Sequence, residues 1–440
     1  MTRKTTLILL PALLFCCNIF AQRVNTAKLD SLFQVLADKD KYMGSIAISA
    51  NGELLYTKAI GKADIATNKP ATTQTEYRIG SISKMFTSCL VFKAVEEHKL
   101  SLSQTIDKYF PAIENAGKIT IGDLLSHRSG IHNFTDDENY LTYNTEAKTE
   151  QQMIDIIAKG KSDFEPGSKA SYSNSNYVLL SYILEKTYKK PYKELLNARI
   201  IKPLGLKHTY FGGKTNLQNN ESYSYSFTGK WNKESETDLS IPMGAGSVLS
   251  TPSDLVVFIE ALFANKIISN ESLQQMTTIK DGYGMGIFQV PFHSKKGFGH
   301  TGGIDGFSSA VAYFPADKVS VAITSNGGVY DNNDIVIAAL SDYYGMPYEI
   351  PAFNTVALQS SDLDKYLGEY SSPDLPLKIS VTKDGNKLIA QATGQSAFPL
   401  DATETDKFEF LQAGIKLEFL PAEKKMILKQ GGGKFTFTRN

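Results

Sequence analysis

Cysteine is scarce in this 440-residue chain: three in all, at positions 16, 17 and 89. So few thiols build neither a disulfide framework nor a cysteine-rich metal cluster. Histidine is nearly as sparse, with six scattered copies, no His-Glu-x-x-His pair and no other spacing that assembles a metal site. Net charge is lacking too, since 46 lysines and arginines balance 46 aspartates and glutamates. That balance argues against a broad electrostatic footprint for nucleic acid or an anionic membrane. The sequence contains no Gly-x-x-x-x-Gly-Lys-Ser/Thr phosphate cradle and no Gly-x-Ser-x-Gly elbow around any serine. It shows no repeat period and no low-complexity tract, and no segment after the N-terminus is long and apolar enough to span a bilayer. What remains is globular composition, 42% hydrophobic and 21% charged, at a length suited to two domains. The partner expected of such a chain is a small molecule, a peptide or an uncharged polymer, and the oligomeric state is not legible.

The first residues stand apart. Arg3 and Lys4 precede the apolar run from Leu7 to Phe15, and Phe20-Ala21 offers a small residue for cleavage. Residues 1–21 read as a secretory signal peptide, which makes the protein exported, periplasmic or extracellular. Cys16 and Cys17 raise the question of lipid anchoring, but the bulky Phe15 before them favours a free exported protein. After cleavage only Cys89 remains, and its place in an apolar helix points to core packing.

The rest of the chain falls into two compositional halves. Residues 22–350 mix helices and strands. A helix is expected from Thr26 to Lys39, and strands at Ser45–Ser49 and Leu54–Thr57 flank the hairpin signal Asn51-Gly52. Apolar residues at helical spacing from Met85 to His98 predict a helix that buries one face. Further helices are predicted at Ile121–Leu125, Val178–Glu185 and Asp334–Tyr344, and alternating strands at Ala310–Phe314 and Val319–Thr324. Residues 351–360 read as a linker. Beyond them helix signals vanish, and residues 361–440 predict a small antiparallel β domain, barrel- or sandwich-like, with strands at Leu377–Val381, Lys387–Ala392, Phe408–Phe410, Lys416–Phe419, Lys425–Leu428 and Lys434–Thr438.

Three short motifs carry chemistry. Ser81 stands where the helix after Arg78-Ile79-Gly80 begins, and Lys84 lies three residues on, on the same helical face. A serine hydroxyl is a poor nucleophile until a base takes its proton, and a lysine amine serves as that base when burial depresses its pKa. Tyr172-x-Asn174 precedes another apolar helix: a desolvated Tyr172 near Lys84 could gain phenolate character and shuttle the proton to the leaving group, and Asn174 could hold Lys84 and a substrate amide. Taken alone, Tyr172 could equally be a packed aromatic and Asn174 a helix cap. His300-Thr301-Gly302-Gly303 opens onto strands, where the glycines suit close approach of substrate to backbone. His127 and Ser129 read as the structural end of a helix, and Asp305 and Phe307 are placed near the cleft.

In this order and spacing, together with Leu124-Leu125-Ser126-His127-Arg128-Ser129-Gly130 and Gly246-Ser247-Val248-Leu249-Ser250-Thr251, the motifs resemble the serine β-lactamase and penicillin-binding-protein superfamily, in particular its class C β-lactamase-related branch of esterases, D-amino-acid peptidases and D-alanyl-D-alanine carboxypeptidases. The resemblance covers about Val35 to Tyr348. It implies an α+β fold in which an antiparallel sheet flanked by helices sits beside a helical lobe, with the small all-β domain appended. It implies catalysis by Ser81, Lys84 and Tyr172, substrate binding by Asn174, His300, Thr301, Gly302 and Gly303, an oxyanion hole from the N–H groups of Ser81 and Gly303, and neither metal nor organic cofactor. One departure stands out, since many members carry a lysine where this chain has His300. A histidine is largely neutral at pH 7 and receives a substrate carboxylate less well, which favours a peptidase or esterase over an efficient penicillin-hydrolysing enzyme. The reading is an exported serine hydrolase that acts on a D-amino peptide, a β-lactam or a small ester through an acyl-enzyme. The alternatives are a penicillin-binding or peptidoglycan-sensing protein with little turnover, and a wall- or carbohydrate-binding role centred on the C-terminal domain.

Overall fold

A computed structural model describes residues 24–228, 230–353 and 356–440. The segment read as a signal peptide, with Cys16 and Cys17, lies outside the described residues, as do two residues of the expected linker.

The sheet grows from the hairpin that the sequence announces. Asn51 and Gly52 both take positive φ, 54° and 82°, the geometry of the two-residue turn that matches strand twist. They join β1 (Tyr42–Ala50) to β2 (Glu53–Ile60). Four later strands complete the sheet: β3 (Phe288–Phe292), β4 (Lys295–Ile304), β5 (Phe307–Phe314) and β6 (Val319–Gly328). Their order is β3-β4-β5-β6-β1-β2, antiparallel throughout, with Ile46 opposite Ile323 at the centre. Every residue of β1 is buried, because both faces of the sheet are covered. On one face pack the first helix, α1 (Thr26–Asp38), and the helix after β6, α5 (Asn332–Tyr343), around Leu32, Phe33, Ile335 and Leu340.

On the other face lies the helical lobe. Its axis is α2 (Ser83–Glu96), flanked by α3 (Asn174–Tyr188) and α4 (Pro252–Phe263). The expected one-sided burial of α2 is not what forms: 11 of its 14 residues are buried, and Phe86 stacks on Phe258 with ring centres 3.8 Å apart. A helix enclosed all round buries its polar side chains too, so Lys84 must find partners inside the protein. Cys89 lies in this core with its thiol free.

The C-terminal strands close into an eight-stranded barrel: β7 (Gly368–Ser371), β8 (Lys378–Asp384), β9 (Lys387–Ala392), β10 (Phe398–Glu404), β11 (Lys407–Phe410), β12 (Ile415–Leu420), β13 (Lys425–Gln430) and β14 (Gly433–Arg439). Closure comes from β7 pairing with β14, Tyr370 opposite Arg439, which removes the exposed edges of an open sheet. Leu388, Leu400, Phe419 and Phe437 fill the interior. Two of these strands, β7 and β10, are absent from the sequence reading.

Among the described residues no helix is long and apolar enough to cross a membrane.

Candidate active site

The site is built where β4 meets the turn before α2. Tyr77 and Arg78 pair with Ser250 and Leu249, and the chain then turns through a single 3-10 turn, Gly80–Ile82, into α2. Ser81 therefore sits on that turn, one step before the helix proper. Gly80 takes φ +50°, and a Cβ there would lie 2.8 Å from the backbone N and O of Gly303. Across the gap, a Cβ at Gly302 would lie 2.0 Å from the carbonyl of Ile79. Only glycine at these two positions lets the strand and the turn approach this closely. The strand is not at the sheet edge along its whole length, because β3 pairs with residues 295–299 of β4. Past that point β3 ends, and residues 300–304 face the Ser81 turn.

Ser81 is the meeting point of two side chains. The Nζ of Lys84 lies 2.8 Å from its Oγ, and the Tyr172 hydroxyl donates to the same Oγ at 2.7 Å. Lys84 is fully buried, and burial pushes its pKa well below the ordinary lysine range. Its Nζ has two further neighbours, Asn174 Oδ1 at 2.8 Å and the Ala245 carbonyl at 2.9 Å. Both can only accept, so they take the two N–H groups of a neutral amine and leave its lone pair for the Ser81 hydroxyl proton. The orientation of the Asn174 amide is fixed by its other end, which donates to Thr135 Oγ1 at 3.1 Å. Tyr172 differs from the phenolate expectation. Burial raises its phenol to about 12, against a weaker opposing pull from Ser81, so at neutral pH it keeps its proton and acts as a donor.

Residues 171–174 are held from several sides. Asn174 is the first residue of α3 and not its cap, since the N-cap is Ser173. The Asn174 amide N–H donates to Asn133 Oδ1 at 2.9 Å. His127, which the sequence reading treats as the end of a helix, accepts the Ser173 N–H at Nδ1 (3.1 Å) and the Ser171 N–H at its carbonyl (2.9 Å). Asn133, Thr135 and Ala245 are hydrogen-bonding neighbours of Lys84 and Asn174 that the sequence reading misses. Thr135 and Ala245 lie on single 3-10 turns and Asn133 directly precedes the first of these; turns this short give no periodic signal, and nothing in the sequence ties these residues to Lys84.

The third motif divides. Gly303 lines the cavity that contains Ser81 and Asn174, a space of about 350 Å³. His300, Thr301, Gly302 and Phe307 also border a neighbouring cavity, but the His300 side chain lies on the Ser81 side of β4, its ring centre 6.4 Å from that of Tyr172. His300 is 3% exposed, its Nδ1 is bonded to the Thr301 carbonyl, and its ring lies against Phe288 with centres 4.5 Å apart. Burial, with Lys84 nearby, lowers its pKa to about 3, so this histidine is neutral.

Asp305 does reach the Ser81 cavity, as the sequence reading expects, but it is tied down: it accepts the Thr237 N–H at 3.1 Å and its hydroxyl at 2.6 Å, and it pairs with Arg78 at 3.2 Å. Arg78 also binds Glu236 at 3.0 Å and the carbonyls of Thr237 and Gly213. Together these bonds fix the segment from Glu234 to Thr237 as the outer wall of the site.

Comparison with known proteins identifies the family. The family described as Beta-lactamase matches residues 29–341. A protein of Bacillus subtilis (strain 168) named penicillin-binding protein 4* is 25% identical over 92% of this chain and 97% of its own length. Teichoic acid D-alanine hydrolase of Staphylococcus aureus (strain NCTC 8325 / PS 47) is 28% identical over 68% of this chain and 75% of its own. Among solved structures, D-amino acid amidase from Ochrobactrum anthropi SV3 superposes with a TM-score of 0.64 at 27% identity, covering 72% of this chain and 99% of that one. The match across most of the chain, over a fold that brings Ser81, Lys84 and Tyr172 together, places this protein in the β-lactamase family of serine hydrolases.

Proposed function

We propose that this protein is an exported hydrolase that cleaves small D-aminoacyl amides or esters through an acyl-enzyme on Ser81. The observation that carries the reading is the position of the Ser81 hydroxyl between a buried amine and a protonated phenol, at the wall of an open cavity. Ser81 Oγ attacks the substrate carbonyl carbon while its proton passes to the Lys84 lone pair. The oxyanion is held by the N–H groups of Ser81 and Gly303, whose lack of a side chain keeps the cavity open. Tyr172 donates its proton to the departing nitrogen or oxygen and recovers one from Lys84, whose Nζ lies 4.8 Å from the centre of its ring. Water then enters along the leaving-group path and attacks the acyl carbon as Lys84 takes its proton; the bond from that carbon to Ser81 Oγ breaks, Ser81 regains the proton from Lys84, and the acid leaves.

The D-aminoacyl assignment is supported by the names of the amidase and the D-alanine hydrolase that the chain resembles. Export is supported by the charged and apolar pattern of residues 1–21. The test is intact-mass spectrometry of the mature protein and its Ser81→Ala variant with a fluorophosphonate, a penicillin and p-nitrophenyl acetate. A covalent adduct on Ser81, lost in the variant, supports the reading, and its absence with all three probes in a folded sample overturns it. A penicillin adduct that persists without turnover of any D-aminoacyl amide or ester gives the slow-acylating, penicillin-binding alternative instead.

A further inference from the structure

The cavity beside Ser81 has an unusual balance of charge. Among the described residues that line it, the charged ones are Glu234 and Asp305, and neither lysine nor arginine is present. Lys84 lies beneath the floor with its Nζ engaged by Ser81, Asn174 and Ala245. His300 is neutral and enclosed between Phe288 and Tyr172, so it offers no positive charge to the cavity. A substrate carboxylate entering this space meets no counter-charge and faces carboxylates.

The two acidic residues are not equivalent. Asp305 is consumed by Arg78 and Thr237, as Glu236 is by Arg78 and the Thr215 N–H, and as Asp238 is by Ser240. Among the described residues the carboxylate of Glu234 makes neither a hydrogen bond nor an ion pair, although its backbone N–H is fixed to the Ser224 carbonyl at 2.9 Å. Glu234 also borders the adjoining cavity with Lys193, Lys214 and Lys233, none of which pairs with it among the described residues; a half-buried carboxylate on a backbone-fixed wall, without a partner among those residues, is a receptor for a cation. The space is about 350 Å³, at the small end of ligand pockets and suited to a group of amino-acid size.

Resting on the reading of Ser81 as an acylated nucleophile, we infer that Glu234 binds the α-ammonium group of the substrate and makes the site selective for aminoacyl derivatives with a free amine. N-acylated amino acids and peptides read through a terminal carboxylate are discriminated against.

The test separates binding from reaction. Calorimetry at low salt on the Ser81→Ala protein, with and without Glu234→Gln, measures the affinity of D-alaninamide and of N-acetyl-D-alaninamide without turnover. The expected result is that the Ser81→Ala protein prefers the free amine, and that Glu234→Gln weakens D-alaninamide by roughly tenfold to a hundredfold, the range of a charged hydrogen bond. The N-acetyl compound should change by less than about twofold, within the error of a neutral contact. Equal affinity for both compounds, or an affinity for D-alaninamide that Glu234→Gln leaves unchanged, overturns the inference. Turnover of D-alanine p-nitroanilide by the unmutated protein is measured separately. Its absence counts against the proposed reaction and leaves the affinities measured for Glu234→Gln standing.

Discussion

The imidazole of His127 lies against the phenol ring of Tyr172, centres 4.5 Å apart, while the same residue receives the amide N–H groups on either side of that tyrosine. His127 itself takes φ +57° and is 1% exposed. Burial, with Lys84 and His300 close by, holds its pKa well below the ordinary histidine range, so the ring is neutral. Its Nδ1 accepts from Ser173, so the ring proton sits on Nε2. A helix end has thereby become a mount for the tyrosine whose hydroxyl donates to Ser81.

A positioning role gives a specific expectation for His127. Removal of the ring in His127→Ala leaves the Ser173 N–H buried without a partner, at a cost of about 1–3 kcal/mol. It also frees Tyr172, so kcat should fall while KM holds. His127→Asn restores an acceptor and tolerates the left-handed backbone, so it should recover part of kcat. Steady-state kinetics beside chemical denaturation check this. Loss of stability with unchanged kcat would leave His127 as scaffold alone.

The protonation state of Tyr172 sets the second expectation. With its phenol raised to about 12 by burial, the role proposed for Tyr172 is that of an acid, and its loss should then matter in proportion to the basicity of the leaving group. Tyr172→Phe should lower kcat on an amide by about 10²–10⁴-fold. A p-nitrophenyl ester, whose leaving group departs as an anion, should lose far less. Equal losses on both substrates would assign Tyr172 to orienting Ser81 instead of protonating the leaving group.

How much of this could be read in the chain depends on how local each signal is. Ser81 and Lys84 share one helical face by spacing alone, and Asn51-Gly52 fixes its turn by backbone preference. Tyr172 and Asn174 become meaningful once they are set in order with that pair. Glu234, Thr135 and Asn133 stand on irregular segments far from Ser81 in sequence, and their relation to it exists only after the chain closes on itself. The burial of α2 on all sides was illegible because Ser83, Lys84, Thr87 and Ser88 read as a polar face, whereas each is enclosed and bonded within the lobe. In the barrel, Pro399 near the start of β10 weakens its strand signal, and β7, Gly368–Ser371, offers Tyr370 alone as a strong strand former.

The glycines of the third motif offer a paired test. At Gly302 a Cβ would fall 2.0 Å from the Ile79 carbonyl, backbone against backbone. At Gly303 the nearest atom would be 3.9 Å away. Gly302→Ala should therefore force the Ser81 turn away from β4, with overpacking costs of about 1–3 kcal/mol or more and loss of fluorophosphonate labelling. Gly303→Ala should keep the stability of the parent and lose turnover, because its methyl group enters the substrate cavity. Thermal unfolding and labelling rates on the two variants decide it, and a stable, active Gly302→Ala protein would contradict the close approach.

The contact between the barrel and α5 is expected to carry its own pH dependence. The backbone of Gly414, at the turn before β12, approaches the start of α5 so closely that a Cβ there would lie 3.1 Å from Asp331 Oδ2 and 3.3 Å from Asp334 Oδ2. Burial first, and the charge of Asp331 second, raise Asp334 to about 6, with Lys416 pulling the other way. Burial likewise raises Asp331 and, on the barrel side, Glu409, where Lys416 and Lys41 oppose it. A carboxyl group whose folded pKa lies above its unfolded one binds more protons folded than unfolded between the two values. Stability from Asp334 is thus fully present below the unfolded value near 4, declines as pH rises towards about 6, and stays low above it. Asp334→Asn removes that decline and should raise stability at pH 7 by on the order of 1–3 kcal/mol, the equivalent of about two pKa units reduced for partial exposure. Urea unfolding of both proteins at pH 4 and pH 7 is the measurement. The variant should gain at pH 7 and be indistinguishable at pH 4, and a gain of equal size at both would show that packing, not charge, limits this contact.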